Sequence, residues 1–267
     1  MNILVCIKQV PASTKVAVDP QTGVLIRDGS QAKTNPYDLF ALECAFRLKE
    51  ERGGTVTVLT MGPPQAERTV REAYALGADR GVILSDRRFA GADVLATSYT
   101  LSCGIRTLEA EMGHPFDLIL CGKQTTDGDT AQVGPEMAEM LGLPSVCGVV
   151  ALEWAGEDKL SIRMDTGDHV IDAELCLPAV VSVEKDIYVP RLPSYLRRRD
   201  LAEREVRIVG LDQLTEADAS RMGLSGSPTQ VRRIFPPEVS GERETRGGTA
   251  EELAEWVFGL LCDRKWI

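Results

Sequence analysis

Four short apolar runs, separated by stretches with helical patterning, constrain this chain more than any other feature. They are residues 2–7 (NILVCI), 55–61 (TVTVLTM), 81–84 (GVIL) and 116–122 (FDLILCG). Such runs lack the polar–apolar alternation of a half-exposed strand, so both of their faces need cover, which a parallel sheet flanked by helices provides. The intervening segments carry helix signals. Asn35-Pro36 offers an N-cap followed by a first-turn proline, and Leu39, Leu42 and Phe46 then mark an apolar face to about Glu51. A helix over about 65–76 closes at Gly77, and another spans about 92–112. A loop at 123–130 then leads into a helix ending near Leu141. Pro135 fits that helix if it begins near Gly134, where a missing N–H costs nothing. Strand, helix, strand, helix with short connections predicts a doubly wound, mostly parallel α/β sheet with helices on both faces.

After Leu143 the pattern changes. Residues 145–154, 159–165, 169–176 and 179–183 read as strands joined by turns, an antiparallel extension of the sheet. Residues 11–34 read as a hairpin-like excursion around Val24, Leu25 and Ile26, and residues 187–200 as an exposed loop. These features divide the chain into a nucleotide-binding α/β domain with its extension, residues 1–200, and a C-terminal arm, residues 201–267. Residues 222–250 are rich in Gly, Pro, Ser, Thr and charge and are poorly suited to a core of their own. The tail opens with a capping-box pattern at Thr249 and Glu252 and carries Leu253, Trp256, Val257, Leu260 and Leu261 on one stripe. From spacing alone, that stripe docks equally well on its own chain or on a partner.

Charge and composition exclude several classes. A formal charge of −10 argues against nucleic acid or anionic membrane as a partner. No run is long enough to span a bilayer, and the first residues read as a strand rather than a signal peptide, which places the protein in the cytoplasm. The seven cysteines are odd in number and contain no CxxC pair, and they read as reduced, buried thiols. With only His114 and His169 available, a metal site has little support.

In a doubly wound sheet, ligands sit beyond the carboxyl ends of the strands where strand order reverses. Four loops qualify, after Ile7, around Asn35, after Met61 and after Gly122. The last, GKQTTDGDTAQVGP at 122–135, is the most distinctive, because a helix start offers free N–H groups and a favourable dipole to phosphate. Gly128 permits backbone shapes closed to other residues. Asp127 and Asp129 would repel a phosphate set directly against them. Nucleotide binding and a well-capped polar loop therefore stand as alternatives on pattern alone. Neither GxGxxG nor GxxxxGK[ST] occurs. Lys8 and Gln9 leave the first strand at its carboxyl end, and Asp165, Asp168 and Asp172 fall in a hairpin, where they read as solvated turn residues. With no acid, base or nucleophile constellation, the chemistry belongs to a bound cofactor.

Several of these segments, in this order, resemble the beta subunit of electron-transfer flavoproteins. They are MNILVCIKQVP at the start, NPYDLFALECAFRLKE at 35–50, TVLTMGPPQAERTVREAYALGADRGVIL at 57–84, GKQTTDGDTAQVGPEMAEMLGLP at 122–144, and LPAVVSVEKD followed by PRLPSYLRRR. The resemblance implies a heterodimer in which an alpha subunit carries FAD and the beta subunit buries a second nucleotide. Carried over, nucleotide contacts fall at Cys6, at Asn35, Pro36, Tyr37 and Asp38, and at Met61. They continue through Gly122, Lys123, Gln124, Thr125, Thr126, Asp127, Gly128, Asp129, Thr130, Ala131, Gln132 and Val133. The segment that grips a partner dehydrogenase maps to Tyr188, Val189, Pro190, Arg191, Leu192, Pro193, Ser194, Tyr195, Leu196, Arg197, Arg198 and Arg199, with Leu192 as its anchor. The arm would wrap the alpha subunit.

DGDTAQVGP at 127–135 and DRRFAGADVLATS at 86–98 look like the bifurcating branch of that family rather than the housekeeping branch. This implies FAD in this subunit, with AMP as the alternative, and NADH as electron donor. Implied electron partners are an acyl-CoA or other flavin dehydrogenase and ferredoxin or flavodoxin. Ala12 departs from that branch, which commonly has a polar residue at this position of the first loop. A stand-alone adenine-nucleotide sensor is the alternative from another class, and the apolar C-terminal helix speaks against it.

Overall fold

The structure, a computed structural model, describes residues 1–12, 32–231 and 244–267. The excursion expected around Val24–Ile26 lies outside the described residues. The chain divides into two compact units, residues 1–232 and 233–267. The first unit thus extends beyond residue 200, where the sequence pattern sets the domain boundary.

Strand β1 (Asn2–Cys6) leads into β2 (Gln9–Pro11), which pairs antiparallel with β3 (Ala32–Thr34). Helix α1 (Pro36–Arg52) follows, with Pro36 in its first turn and Gly53 at its end. Next come β4 (Thr55–Met61), α2 (Glu67–Leu76), β5 (Arg80–Leu84), α3 (Val94–Met112), β6 (Leu118–Gly122) and α4 (Val133–Leu141). Strands β7 (Ser145–Trp154), β8 (Lys159–Asp165), β9 (Val170–Cys176) and β10 (Ala179–Val183) complete the extension, followed by short α5 (Tyr195–Arg199) and β11 (Arg207–Val209). The nine-stranded sheet runs β11-β5-β4-β1-β6-β10-β7-β8-β9. Neighbours are parallel from β11 through β7, and β8 and β9 are antiparallel additions. From β1 the chain builds outward through β4 and β5, then returns to the other side of β1 as β6. Strand order therefore reverses between β1 and β6.

Two assignments differ from the sequence pattern. Residues 179–183 do not join the antiparallel extension, because β10 is an interior parallel strand between β6 and β7. All five of its residues are buried, which accounts for the unalternating AVVSV. Strand β11 adds a parallel edge to β5 from a stretch with no strand pattern of its own.

The two faces of the sheet carry separate cores. Ile3, Val5, Val56 and Val58 meet α1 and α2 through Leu42, Phe46, Val70 and Tyr74. Leu4, Leu59, Ile119 and Val180 meet α3 and α4 through Ile105, Leu108, Met137 and Ala138. Alternate residues of β1 serve opposite faces, as strand geometry requires. Leu211, Leu214 and Met222 close the second core, so part of the stretch beyond residue 200 packs on the sheet. Of the cysteines, Cys44, Cys103 and Cys121 are buried and Cys6 is half-buried, but Cys147, Cys176 and Cys262 are exposed, contrary to the expectation of buried thiols; all are free. Among the described residues, no helix is long and apolar enough to cross a membrane.

The second unit carries α6 (Ala250–Asp263). Its capping box is formed as its sequence predicts. The Glu252 N–H donates to Thr249 Oγ1 at 3.3 Å, and the Thr249 N–H donates to the Glu252 carboxylate at 2.9 Å. Val257 and Phe258 are exposed on it.

Candidate functional site

The site lies where β1 and β6 end side by side, with Cys6 opposite Cys121 in register. Gly122 comes so close to the first turn of α1 that an added Cβ would stand 2.6 Å from the Tyr37 carbonyl carbon and 2.7 Å from the Asp38 carboxylate. Only a residue without a side chain allows that approach.

Asn35 and Asp38 knit the loops together. The Asn35 amide donates to Asp38 Oδ1 at 2.8 Å and to the Gln124 carbonyl at 2.9 Å, and its oxygen accepts the Thr126 N–H at 3.3 Å. The Asn35 N–H donates to the Lys8 carbonyl at 2.9 Å, and the Lys8 N–H to Asp38 Oδ2 at 2.6 Å. Both side chains are buried. They act as struts holding the loop after β6 against the loop after β1. Burial pushes the Asp38 carboxyl up to about 7, against the opposing pull of the Asn35 and Lys8 hydrogen bonds. The Gln124 amide reaches toward the Tyr37 hydroxyl at 3.4 Å.

Beyond these struts the loop turns at Thr125–Gly128. Thr125 Oγ1 donates to the Gly128 carbonyl at 2.8 Å, and the Gly128 N–H donates to the Thr125 carbonyl at 3.4 Å. Gly128 does not use the conformational freedom expected of it. Its φ lies outside the left-handed region, and a Cβ there would meet only Thr125 Oγ1 at 3.6 Å. The left-handed residue is Ala131, at φ 57°, directly before right-handed Gln132. Successive N–H groups in such a pair form a concavity suited to an anion.

Helix α4 starts with no side-chain cap, and Pro135 sits in its first turn, in keeping with the late start that its sequence requires. Among the described residues, the backbone N–H groups of Thr130 through Gly134 donate to no acceptor. The Lys8 ammonium lies 2.7 Å from the Asp127 carboxylate and so offsets one of the two negative charges that oppose a phosphate here. Asp129 and Thr130 are exposed.

Cys6 sits beneath the loop with its thiol 4.0 Å from the Met137 sulfur, and Met61 ends β4 on the other side of β1. Pro36 takes its place in the first turn of α1. Lys123 pairs with Glu184 at the end of β10. Lys8 and Glu184 had only their positions at strand ends as a sequence signal. The carboxyl ends of β1, β4 and β6 thus converge, with a pinned loop and a run of unpaired N–H groups above them. These features suit a phosphate-bearing ligand. A separate cavity of about 340 Å³ lies at the opposite strand ends, between Arg80 and Met112, with no comparable N–H array.

Residues 188–199 form a second surface with two faces. Arg191 points inward and forks onto α1, with Nε 2.8 Å from Glu43 Oε2, Nη2 3.1 Å from Glu43 Oε1, and a further pair to Glu50. It also stacks 4.9 Å over the Phe46 ring. Burial pushes the Glu43 carboxyl upward, but the hydrogen bonds from Arg191 and Arg47 outweigh it and hold the group below the usual carboxylate range. The Tyr188 hydroxyl donates to the Leu152 carbonyl at 2.8 Å under the Arg47 guanidinium. The Ser194 N–H donates to the Ala75 carbonyl at 2.9 Å, and Arg197 donates to the Leu76 carbonyl at 2.8 Å. Val189, Leu192, Tyr195 and Leu196 face outward, Leu192 with 87% exposure. Arg198 and Arg199 are exposed, while Pro190 and Pro193 are half-buried. The expected contact segment therefore separates into anchors and an exposed apolar face. The exposed loop expected at 187–200 also contains the short helix α5.

Sheet order and strand directions define a doubly wound, mostly parallel α/β protein with an antiparallel extension. Residues 22–213 match the electron transfer flavoprotein domain. Over 267 residues the chain is 42% identical to the electron transfer flavoprotein subunit beta of Clostridium acetobutylicum, covering all of both chains. It is 44% identical over 250 residues to Protein FixA of Azorhizobium caulinodans, covering 92% of this chain and 88% of that one. It is 42% identical over 272 residues to the caffeyl-CoA reductase-Etf complex subunit CarD of Acetobacterium woodii, again covering all of both. The chain belongs to the electron transfer flavoprotein beta-subunit family.

Two predictions follow from the struts and anchors. An Asp38 carboxyl raised above its unfolded value of 3.8 favours the fold at low pH, and that contribution is lost as pH rises toward and through about 7. Asp38→Asn removes the titration while setting an amide donor against an N–H. Urea unfolding should therefore show wild type losing on the order of 2 kcal/mol more than the variant between pH 5 and pH 8. Arg191→Ala leaves buried Glu43 without its main partner and should cost about 2–4 kcal/mol at pH 7, read from the denaturation midpoint.

Proposed function

We propose that this chain is the beta subunit of a heterodimeric electron-transfer flavoprotein and holds FAD at the switch point between β1 and β6. The observation that carries this reading is the run of unpaired backbone N–H groups from Thr130 through Gly134, with left-handed Ala131 inside it. Two consequences support a diphosphate there. Uncapped N–H groups at the start of a nine-residue helix favour negative charge, and the Lys8–Asp127 pair lowers the local acidity. Gly128 leaves the rim open, which suits a ligand larger than a mononucleotide.

The residues would divide the work by depth. Cys6 and Met61 form the floor, and the 130–134 backbone takes the phosphates. Asn35 and Asp38 hold the loop in place without touching the ligand, since their polar groups are satisfied within the protein. Thr126, Asp129 and Gln132 are exposed at the rim and available to hydroxyl groups. When bound, FAD would supply the two-electron and one-electron chemistry that lets NADH deliver a hydride and its electrons divide between two routes.

The exposed face of residues 189–196 would dock an acyl-CoA or other flavin dehydrogenase, with Leu192 as its central anchor. Proline at 190 and 193 and the inward arginines hold that face preformed, which lowers the entropy cost of docking. CarD is by name a subunit of a CoA reductase–Etf complex, which supports a partner of that kind. Ferredoxin or flavodoxin would take the second electron. The apolar stripe of α6 would dock on the alpha subunit.

Two measurements test this assignment. Nucleotides extracted from the purified heterodimer should amount to two FAD per dimer; one FAD with one AMP would place the chain in the housekeeping type instead. Leu192→Ala should slow electron delivery to the dehydrogenase at least tenfold with nucleotide content unchanged. Loss of nucleotide in that variant would mean that residues 188–199 belong to the cofactor site.

A further inference from the structure

Two of the free thiols stand side by side at the switch point. Cys6 ends β1, Cys121 is the penultimate residue of β6, and the two are partners in parallel register. Both pack into the core on the α3 and α4 face, so their side chains leave the sheet on the same side. The Cys6 thiol donates to Met137 Sδ at 4.0 Å, and Cys121 Sγ lies 3.8 Å from where a Cβ on Gly134 would stand. The sulfurs therefore meet beneath the start of α4. The Cys121 thiol is pushed well above the usual thiol range, first by its contact with the Cys6 thiol and then by burial. Access separates the pair, because Cys121 is 7% exposed whereas Cys6 is only half-buried.

Neighbouring strands lie about 4.8 Å apart, and residues in register hold their Cβ atoms at a similar spacing. A disulfide draws two Cβ atoms to about 3.8 Å. The pair is thus near enough to join, but joining it narrows the gap between β1 and β6 by about 1 Å. Little slack exists there. Gly122, next to Cys121, already stands so close to α1 that an added Cβ would be 2.6 Å from the Tyr37 carbonyl carbon. Lys8, just past Cys6, is tied to Asp38 through its N–H. Narrowing the gap therefore displaces the loops after both strands. A disulfide made under such strain is readily reduced, which makes the change reversible.

We infer that Cys6 and Cys121 form a reversible disulfide when the switch-point site is empty, and that the oxidised pair excludes nucleotide. The oxidant is a small-molecule disulfide. The Cys6 thiolate attacks one of its sulfurs and expels a thiolate, leaving a mixed disulfide on Cys6. Cys121 then loses its proton to solvent and attacks the Cys6 sulfur, expelling the second thiolate. Two protein thiols give up two electrons, and one small disulfide is reduced to two thiols. Bound nucleotide covers Cys6 and blocks the first attack. The inference rests on the reading of this site as a nucleotide site, but not on FAD rather than AMP.

The test uses the heterodimer with its nucleotide retained or stripped, incubated with oxidised glutathione, alkylated at its remaining thiols and mapped by peptide mass. Stripped protein should yield the peptide carrying Cys6 linked to the peptide carrying Cys121, and retained nucleotide should slow that link at least tenfold. The exposed Cys147, Cys176 and Cys262 report that the oxidant is active. Oxidised, stripped protein should bind FAD and AMP at least tenfold more weakly than reduced protein by calorimetry, and dithiothreitol should restore binding. In Cys121→Ala, Cys6 should carry a glutathione adduct and no link. Cys6 left free in wild type while the exposed cysteines react overturns the inference. So does a link that leaves nucleotide binding unchanged, or one that forms equally fast in loaded protein. Reduced, stripped protein that binds neither nucleotide overturns the reading of the site itself.

Discussion

The end of β6 and the first turn of α1 touch with no side chain between them. An added Cβ on Gly122 would stand 2.6 Å from the Tyr37 carbonyl carbon, so this contact fixes how α1 sits over the switch point. Asp38 is carried inward by that geometry and is buried with Asn35. Once buried, a carboxyl and an amide must find partners, and those available include the backbone groups of the loops after β1 and β6. The loop after β6 is thus held at its base by groups that cannot leave it without exposing unsatisfied polar atoms. Beyond Gly128 it has few such ties, and among the described residues the N–H groups from Asp129 to Gln132 donate to no acceptor.

Helix α1 serves two surfaces. Its first turn positions the loop after β6, and its next turns carry Glu43, Phe46 and Glu50, on which Arg191 is clamped. The clamp converts a proline-bearing segment into a rigid strap with an apolar outer face. A strap held by a buried carboxylate costs more to displace than one held by surface pairs, because removing the arginine strands the charge.

Much of this was legible in the sequence. The unalternating runs at 2–7, 55–61 and 116–122 required cover on both faces, and Asn35-Pro36 marked the start of α1; together they located the switch point and its loops. Position in the sheet was harder to read. AVVSV at 179–183 follows a hairpin and so predicts a further antiparallel strand, yet its lack of polar–apolar alternation already signalled an interior one. RIV at 207–209 is too short and too mixed in polarity to announce an edge strand. Local pattern also misdirected the left-handed turn. It favoured Gly128, because glycine adopts that region without strain, but the residue that adopts it is Ala131. Likewise, sequence marked all of residues 188–199 as contact surface. Only the packing of Arg191, Ser194 and Arg197 against α1 and α2 separates anchors from exposed groups.

Amide hydrogen exchange on the nucleotide-stripped heterodimer, with and without added FAD, tests the central claim most directly. Bound nucleotide should slow exchange at Thr130 through Gly134 and change it little at Thr126, whose N–H is already engaged by Asn35. Unchanged exchange across residues 129–134, with protection appearing elsewhere on the chain, would contradict the account.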